Sequence, residues 1–283
     1  MSRLDLTQPP SLAAERLSLS YGGTTIVAGL DLAVPERAFT ALLGPNGSGK
    51  STVLRALAGL LAPKSGAVLL DGRSIADRPA KETARRIGIL SQGPAAPEGL
   101  TVLDLIRQGR YPHRSLFGRW SQADEDACAQ ALRLTGTGAL CDRPLDSLSG
   151  GQRQRAWIAM ALAQETDILL LDEPTTFLDL THQIELMDLI ASLVDERGTT
   201  VVAVLHDLNQ AARYADHMVF LKAGKIAATG EPGQVITAQV VEQVFGVATS
   251  IVPDPVTGTP MCIPRAKGRR AGRLRGDTEG NRA

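Results

Sequence analysis

Gly44-Pro45-Asn46-Gly47-Ser48-Gly49-Lys50-Ser51 fits the pattern G-x-x-x-x-G-K-[ST] at every fixed position, and its flanks decide the fold. Phe39 to Leu43 ahead of it is a short apolar run, and Lys50 to Leu60 behind it reads as helical. Strand, glycine-rich loop and helix in that order open a nucleotide-binding α/β unit. The glycines let successive backbone N–H groups turn inward around a β-phosphate, where the helix adds its positive end. Lys50 is expected to reach the β and γ phosphates and Ser51 to ligate Mg²⁺, with Thr52 in the same nucleotide-binding set. A flexible loop ahead of a helix could carry the same glycines, but the apolar strand before it argues against that. Alone, the motif says nucleotide triphosphatase and nothing narrower.

The rest of the chain extends this unit in both directions. Leu17, Leu19 and Tyr21 alternate with polar residues, Gly22-Gly23 turns the chain, and Leu30, Leu32 and Val34 alternate again. The first forty residues therefore read as strands. Val68 to Leu70 and Ile87 to Leu90 are further short strands, whereas about Leu100 to Gly138 reads as helical through Ala127, Ala131 and Leu134. Gln152 to Gln164 is helical and Ile168 to Leu171 a buried strand. Thr181 to Glu196 forms an amphipathic helix through Ile184, Met187, Ala191 and Val194, and Val201 to Leu205 is a strand. This predicts an α/β core interrupted by a helical insertion, with no internal repeat.

A length of 283 residues, 43% hydrophobic, suits one large domain or two small ones. Lys plus Arg and Asp plus Glu each total 30, which argues against a broad nucleic-acid surface. The tail, residues 265–283, is locally basic: Arg265, Lys267, Arg269, Arg270, Arg273, Arg275 and Arg282 face only Asp277 and Glu279. Its low apolar content, with Leu274 the one large apolar side chain, predicts disorder. Cys128, Cys141 and Cys262 lie far apart without metal-ligand spacing, as expected of reduced thiols. Met1 to Pro10 has no apolar core of the signal-peptide kind, and no run approaches the ~18 apolar residues of a membrane span. A role at a membrane would need other chains to supply the membrane part.

Two further motifs carry chemistry. Ile168-Leu169-Leu170-Leu171-Asp172-Glu173 ends a buried strand in two carboxylates, at the sheet edge where ligands sit in open α/β folds. Asp172 would hold Mg²⁺ through its water shell and Glu173 would polarise the attacking water as general base. Leu148-Ser149-Gly150-Gly151-Gln152 places a hydroxyl and two glycines ahead of a helix, a second anion-binding N-terminus. One nucleotide has one γ-phosphate, so this second site is expected to serve the nucleotide of another subunit.

These three motifs in this order resemble the signature of ABC ATPases. The resemblance implies a P-loop ATPase core over residues 12–264 with an N-terminal antiparallel β subdomain and a helical signature subdomain at about 93–165. It also implies a head-to-tail homodimer with two ATPs held between P-loop and Ser149, Gly150, Gly151 and Gln152. By the same resemblance Tyr21 stacks on adenine, Gln92 senses Mg²⁺ and the membrane partner, Asp179 crosses the dimer interface and His206 contacts the γ-phosphate. His182 and His217 are expected at the surface or in helix packing, and His113 in a structural or partner-facing loop.

Longer stretches narrow the family. Gly109-Arg110-Tyr111-Pro112-His113, Leu116-Phe117-Gly118-Arg119-Trp120, Glu173 to Asp179, Thr181-His182-Gln183-Ile184 and Leu205 to Ala211 look like the ferric-siderophore importer ATPases. So does Asp254 to Pro260, and the nearest resemblance is to the enterobactin-type catecholate importers. The basic tail departs from that pattern. The resemblance implies an ATPase peripheral to the cytoplasmic face of the inner membrane, joined to permease subunits and indirectly to a substrate-binding protein. Gln92 to Trp120 is the candidate docking face for the permease. Importers of haem, cobalamin or another metal chelate are the first alternative. A soluble ABC ATPase of translation or repair is the second, disfavoured by a single P-loop and the absence of a heptad array.

Overall fold

Leu12, Ala14, Leu17 and Leu19 turn inward in a computed structural model that describes residues 11–93, 97–114, 118–176 and 178–265. They lie on β1 (Leu12–Tyr21), which pairs antiparallel with β2 (Thr24–Val34). The inward set skips from 14 to 17 because Arg16, at φ 44, sits at a register shift. Such a bulge lets two residues on one strand oppose one on the next. β3 (Phe39–Leu43) then runs into the glycine-rich loop and α1 (Lys50–Leu57). α1 stops three residues short of the expected Leu60, because Gly59 turns left-handed at φ 74 and leaves Leu60 exposed. β4 (Ser65–Leu70) and the two-residue β5 (Arg73–Ser74) return to the first sheet, whose order is β2-β1-β4-β5.

After α2 (Ala80–Arg86), β6 (Ile87–Leu90) opens the far edge of the central sheet. The segment expected to be helical from 100 to 138 is two helices, α3 (Val102–Gln108) and α4 (Gln122–Leu134). Thr101 with Asp104 and Ser121 with Asp124 close a capping box at each N-terminus, and a 3₁₀ turn at Tyr111–His113 separates the helices. His113 is structural, its Nε2 lying 2.6 Å from the Gln164 carbonyl. Arg110, 4% exposed, locks this region by bonding Asp124 at 3.0 Å, Glu165 at 2.7 Å and the Ala163 carbonyl at 2.8 Å. Burial pushes the Asp124 carboxyl up, but the bonds from Ser121 and Arg110 win and hold it at about 2.

α5 (Gly150–Leu162), β7 (Ile168–Asp172), α6 (Leu180–Arg197) and β8 (Thr200–Val204) match the expected elements within two residues at each end. Beyond Leu205, where the sequence reading assigned no elements, come α7 (Leu208–Tyr214), β9 (His217–Lys222), β10 (Lys225–Gly230), α8 (Pro232–Val235) and α9 (Ala238–Phe245). A last hairpin of β11 (Thr249–Pro253) and β12 (Pro260–Pro264) closes the described chain. His217 opens β9 as a partly exposed strand residue rather than a helix one, its Nε2 2.9 Å from Thr229 Oγ1. Residues 266–283 of the basic tail lie outside the described residues.

The central sheet has the order β10-β9-β3-β8-β7-β6. β9, β3, β8, β7 and β6 are mutually parallel, and only the edge strand β10 is antiparallel. Its inner strands are apolar throughout because both faces are covered. Phe39, Ala41, Leu169, Leu171, Val201 and Ala203 face α3, α5 and α6, while Leu42, Ile168, Leu170, Val202 and Val204 face α1 and the antiparallel sheet. Among the described residues, no helix is long and apolar enough to cross a membrane.

Candidate nucleotide site at the sheet edge

Four neighbouring strands deliver their C-terminal ends to one edge, and every residue singled out for hydrolysis stands there. β3 leads to the loop 44–51, β8 to His206, β7 to Asp172 and Glu173, and β6 to Gln92. The parallel register, with Leu90 opposite Leu171 and Asp172 opposite Val204, brings those ends level.

The loop is built around conformations only glycine adopts freely. Gly44 has φ 147, and a Cβ there would lie 2.1 Å from the Leu221 carbonyl oxygen. Gly49 caps α1 at φ 101 with no side-chain bond, so the first N–H groups of the helix stay available. Lys50 is 5% exposed and donates to the carbonyls of Gly44 at 2.9 Å and Pro45 at 3.1 Å. Burial lowers its pKa, against the raising pull of Glu173 and Asp172. Ser51 Oγ donates to Asp172 Oδ1 at 2.7 Å. Asp172 is 2% exposed, burial pushes its pKa up, and its Oδ2 has no hydrogen-bond partner among the described residues. A buried, unpartnered carboxylate oxygen beside a hydroxyl, at the phosphate loop, suits a hard divalent cation with oxygen ligands. The Ser48 hydroxyl is also buried without a partner among the described residues.

Glu173 sits at φ 53, an uncommon conformation for a side chain of its size, and three neighbours fix its carboxylate. Gln92 Nε2 donates to Oε2 at 2.7 Å, Thr176 Oγ1 donates to Oε2 at 3.1 Å, and His206 Nε2 lies 2.7 Å from Oε1. Gln92 and His206, separated from Glu173 in sequence, thus meet on the same carboxylate. Thr176 is the residue the sequence reading left without a role. Its one signal is position, three residues past Glu173 in a turn closed by its own N–H to the Glu173 carbonyl at 3.2 Å.

The signature segment is organised differently. Ser149 caps its own helix, accepting from Gln152 N at 3.3 Å, while its N–H reaches Gln152 Oε1 at 3.2 Å. Ser149 and Gly150 are exposed and Gly151 is buried, with a Cβ at Gly151 meeting the His182 ring at 3.2 Å. His182 is accordingly a packing residue between two helix starts, its Nδ1 also 2.7 Å from Asp179 Oδ1. Asp179 caps α6 and leaves its side chain 67% exposed, next to a Leu180 that is 72% exposed. Tyr21 ends β1, is 43% exposed, and has no hydrogen bond or ring contact among the described residues.

A family model described as ABC transporter matches residues 27–176, from β2 through the loop, the signature and the carboxylate pair. The ferric enterobactin transport ATP-binding protein FepC of Escherichia coli (strain K12) is 52% identical over 89% of this chain and 93% of its own. The petrobactin import ATP-binding protein FpuD of Bacillus anthracis is also 52% identical, over 92% and 95% of the two chains. Among solved structures, a metal-chelate type ABC transporter in an inward-facing conformation superposes with a TM-score of 0.79 at 29% identity, covering 92% of this chain and 99% of that one. Motif, fold and relatives agree across most of its length, and the chain belongs to the ABC transporter family as one of its ATP-binding proteins.

Proposed function

We propose that this chain hydrolyses ATP to drive import of a ferric siderophore through separate permease subunits. The observation that carries the hydrolytic part is the meeting of Gln92, Thr176 and His206 on the Glu173 carboxylate beside the phosphate loop. The siderophore part is supported by the kinship with FepC and FpuD.

In this reading backbone N–H groups of the loop between Asn46 and Ser51 receive the β-phosphate, and Lys50 exchanges its loop carbonyls for β and γ phosphate oxygens. Ser51 and Asp172 would hold Mg²⁺, Asp172 through the ion's water shell, and Gln92 would complete the set; when bound, the ion would neutralise charge on the phosphates. Glu173 takes a proton from the water that attacks the γ-phosphorus as the bond to the β–γ bridging oxygen breaks. His206 turns from Glu173 toward the γ-phosphate, a movement its 45% exposed side chain allows. Ser149 and Gly150 of a second copy close over the same phosphate, and Asp179 crosses between the copies.

The permease docks on the segment from Gln92 to Trp120, of which residues 94–96 and 115–117 are outside the described set. A hollow of about 520 Å³ lies there, away from the nucleotide edge, lined by Asp104, Arg107, Gln108, Tyr111, Arg114 and Trp120. Tyr111 is 80% exposed, and the Trp120 ring is flanked by Arg107 at 5.4 Å and Arg114 at 5.6 Å. An exposed tyrosine next to a half-buried tryptophan flanked by arginines is the composition of interface anchors. The chain would thus sit peripherally at the cytoplasmic face of the membrane.

Uptake of labelled iron by cells lacking this chain, restored as wild type or Glu173→Gln, tests the reading. Iron is offered as a catecholate siderophore, a hydroxamate siderophore and haem, with cobalamin as control. Loss of catecholate-iron uptake, rescued only by wild type, is the expected result. Loss of haem or cobalamin uptake instead would keep an ABC importer and discard the siderophore.

A further inference from the structure

The helix that follows His206 is gripped from outside by the last hairpin of the described chain. α7 has seven residues, too few to hold a helix by its own bonds. Asp207 caps it, accepting from Asn209 N at 2.7 Å and Gln210 N at 3.0 Å, so the orientation of the helix sets the turn that carries His206. Ala211 and Ala212 bury one face. The other is pinned at Asn209 and Arg213, one helical turn apart. Asn209 makes a two-way amide clamp on β12, donating to the Cys262 carbonyl at 3.3 Å and accepting from Cys262 N at 2.7 Å. Arg213 donates twice to Asp254 Oδ2, at 2.8 and 2.6 Å.

The anchor at the other end is rigid. Asp254, 4% exposed, uses its second oxygen to accept from Val256 N at 2.8 Å and Thr257 N at 3.2 Å, which closes the turn between β11 and β12. Gln210 adds a bond to Gln183 of α6 at 2.9 Å, and Gln183 in turn donates to the Leu178 carbonyl, one residue before Asp179.

We propose that the β11–β12 hairpin is a positioning element for hydrolysis: through Asn209 and Arg213 it fixes α7 and so sets the turn from which His206 reaches Glu173 and the γ-phosphate. Asn209 and Arg213 are positioning residues, since neither touches the carboxylate or the phosphate loop in the contacts described. The proposal rests on the roles given above to Glu173 and His206.

The test uses the full chain as Asn209→Ala and as Asp254→Asn, which keeps the acceptor for Val256 and Thr257 but turns an amide toward Arg213. Steady-state phosphate release, affinity for a fluorescent ATP analogue and amide exchange are measured together. For Asn209→Ala, kcat is expected to fall about fivefold to tenfold, the size of one or two lost hydrogen bonds. Affinity should stay within twofold, and faster exchange should be confined to residues 205–214 and the hairpin. Asp254→Asn should show the same pattern at roughly twofold to fivefold. A kcat within twofold of wild type for both variants would overturn the proposal. So would affinity falling in step with kcat. If Asn209→Ala unfolds, Asp254→Asn decides by the same criteria. A wild-type chain with no ATPase at all would instead count against the hydrolytic reading, not against the hairpin.

Discussion

The phosphate loop and the signature segment of this chain are built on opposite plans. At the phosphate loop, Ser48, Lys50 and Asp172 are all nearly buried: Lys50 bonds the loop carbonyls, Asp172 Oδ1 accepts from Ser51, and the Ser48 hydroxyl and Asp172 Oδ2 have no partner among the described residues. At the signature, Ser149 and Gly150 are exposed, as are the side chains of Asp179 and Leu180 nearby. A chain that buries three polar side chains at one site, with two of their oxygens unpartnered, has walled that site itself and left it open to a ligand. A chain that leaves a capped helix start and a large apolar side chain in water has left a surface for something else to cover. The contrast is what the proposed sandwich of two copies would require, with each contributing an enclosed half and a waiting half.

The largest effect expected is on the chemistry that both halves serve. Glu173→Gln keeps the shape and the strained backbone but cannot accept a proton, so phosphate release should fall about 10²- to 10⁴-fold. ATP should still bind, and an ATP-dependent dimer should accumulate on size exclusion. An ordinary hydrolysis rate in that variant would remove Glu173 as the base and leave the contrast between the halves without a common centre.

The next pair separates the halves. Lys50→Ala should weaken ATP binding by roughly 10- to 100-fold, in line with loss of one or two charge-assisted bonds, and equally at any protein concentration. Ser149→Ala removes a helix cap, worth about 1 kcal/mol. Its affinity for ATP as a dilute monomer should stay within twofold, while hydrolysis drops roughly fivefold and recovers as protein concentration rises. If Ser149→Ala weakened monomer binding as Lys50→Ala does, both motifs would belong to one nucleotide within one chain.

The same contrast explains what could be read from sequence. The phosphate loop, the Asp172-Glu173 pair and Ser149 to Gln152 are each contiguous, so local chemistry dictates local residues and the motif is visible without the fold. Gln92 and His206 reach Glu173 only because β6, β7 and β8 are neighbours with level ends, and no spacing in the chain states that. They were identifiable through family resemblance alone. Thr176 was hidden by being one hydroxyl in a turn. The region after Leu205 went unassigned because α7 and α8 are shorter than the window of about 11 residues over which a helical period shows, and β11 and β12 form a separate two-stranded sheet. α1 was drawn three residues too long because Leu60 continues the apolar pattern past the turn at Gly59.

The smallest effect probes the cost of enclosing a half-site in advance. Burial raises the pKa of Asp172, so its ionised form is disfavoured in the folded chain relative to the unfolded one. A carboxyl whose folded pKa is raised contributes stability that is fully present below the unfolded value of about 4. That contribution is lost as pH rises through the folded value. At neutral pH without nucleotide, Asp172→Asn should therefore be more stable than wild type by a few degrees in Tm, about 1 kcal/mol. The gap should narrow as pH is lowered toward the raised pKa, because wild type then becomes neutral at that position too. Adding Mg²⁺ with ATP should reverse the order, since only the wild-type carboxylate gives the ion an anionic ligand. Thermal melts across pH, with and without Mg²⁺ and ATP, read all three outcomes. An Asn variant less stable than wild type at neutral pH without nucleotide would mean that the Ser51 hydroxyl and nearby Lys50 and Arg55 already compensate the buried charge, and that the phosphate-loop half carries no cost for being enclosed in advance.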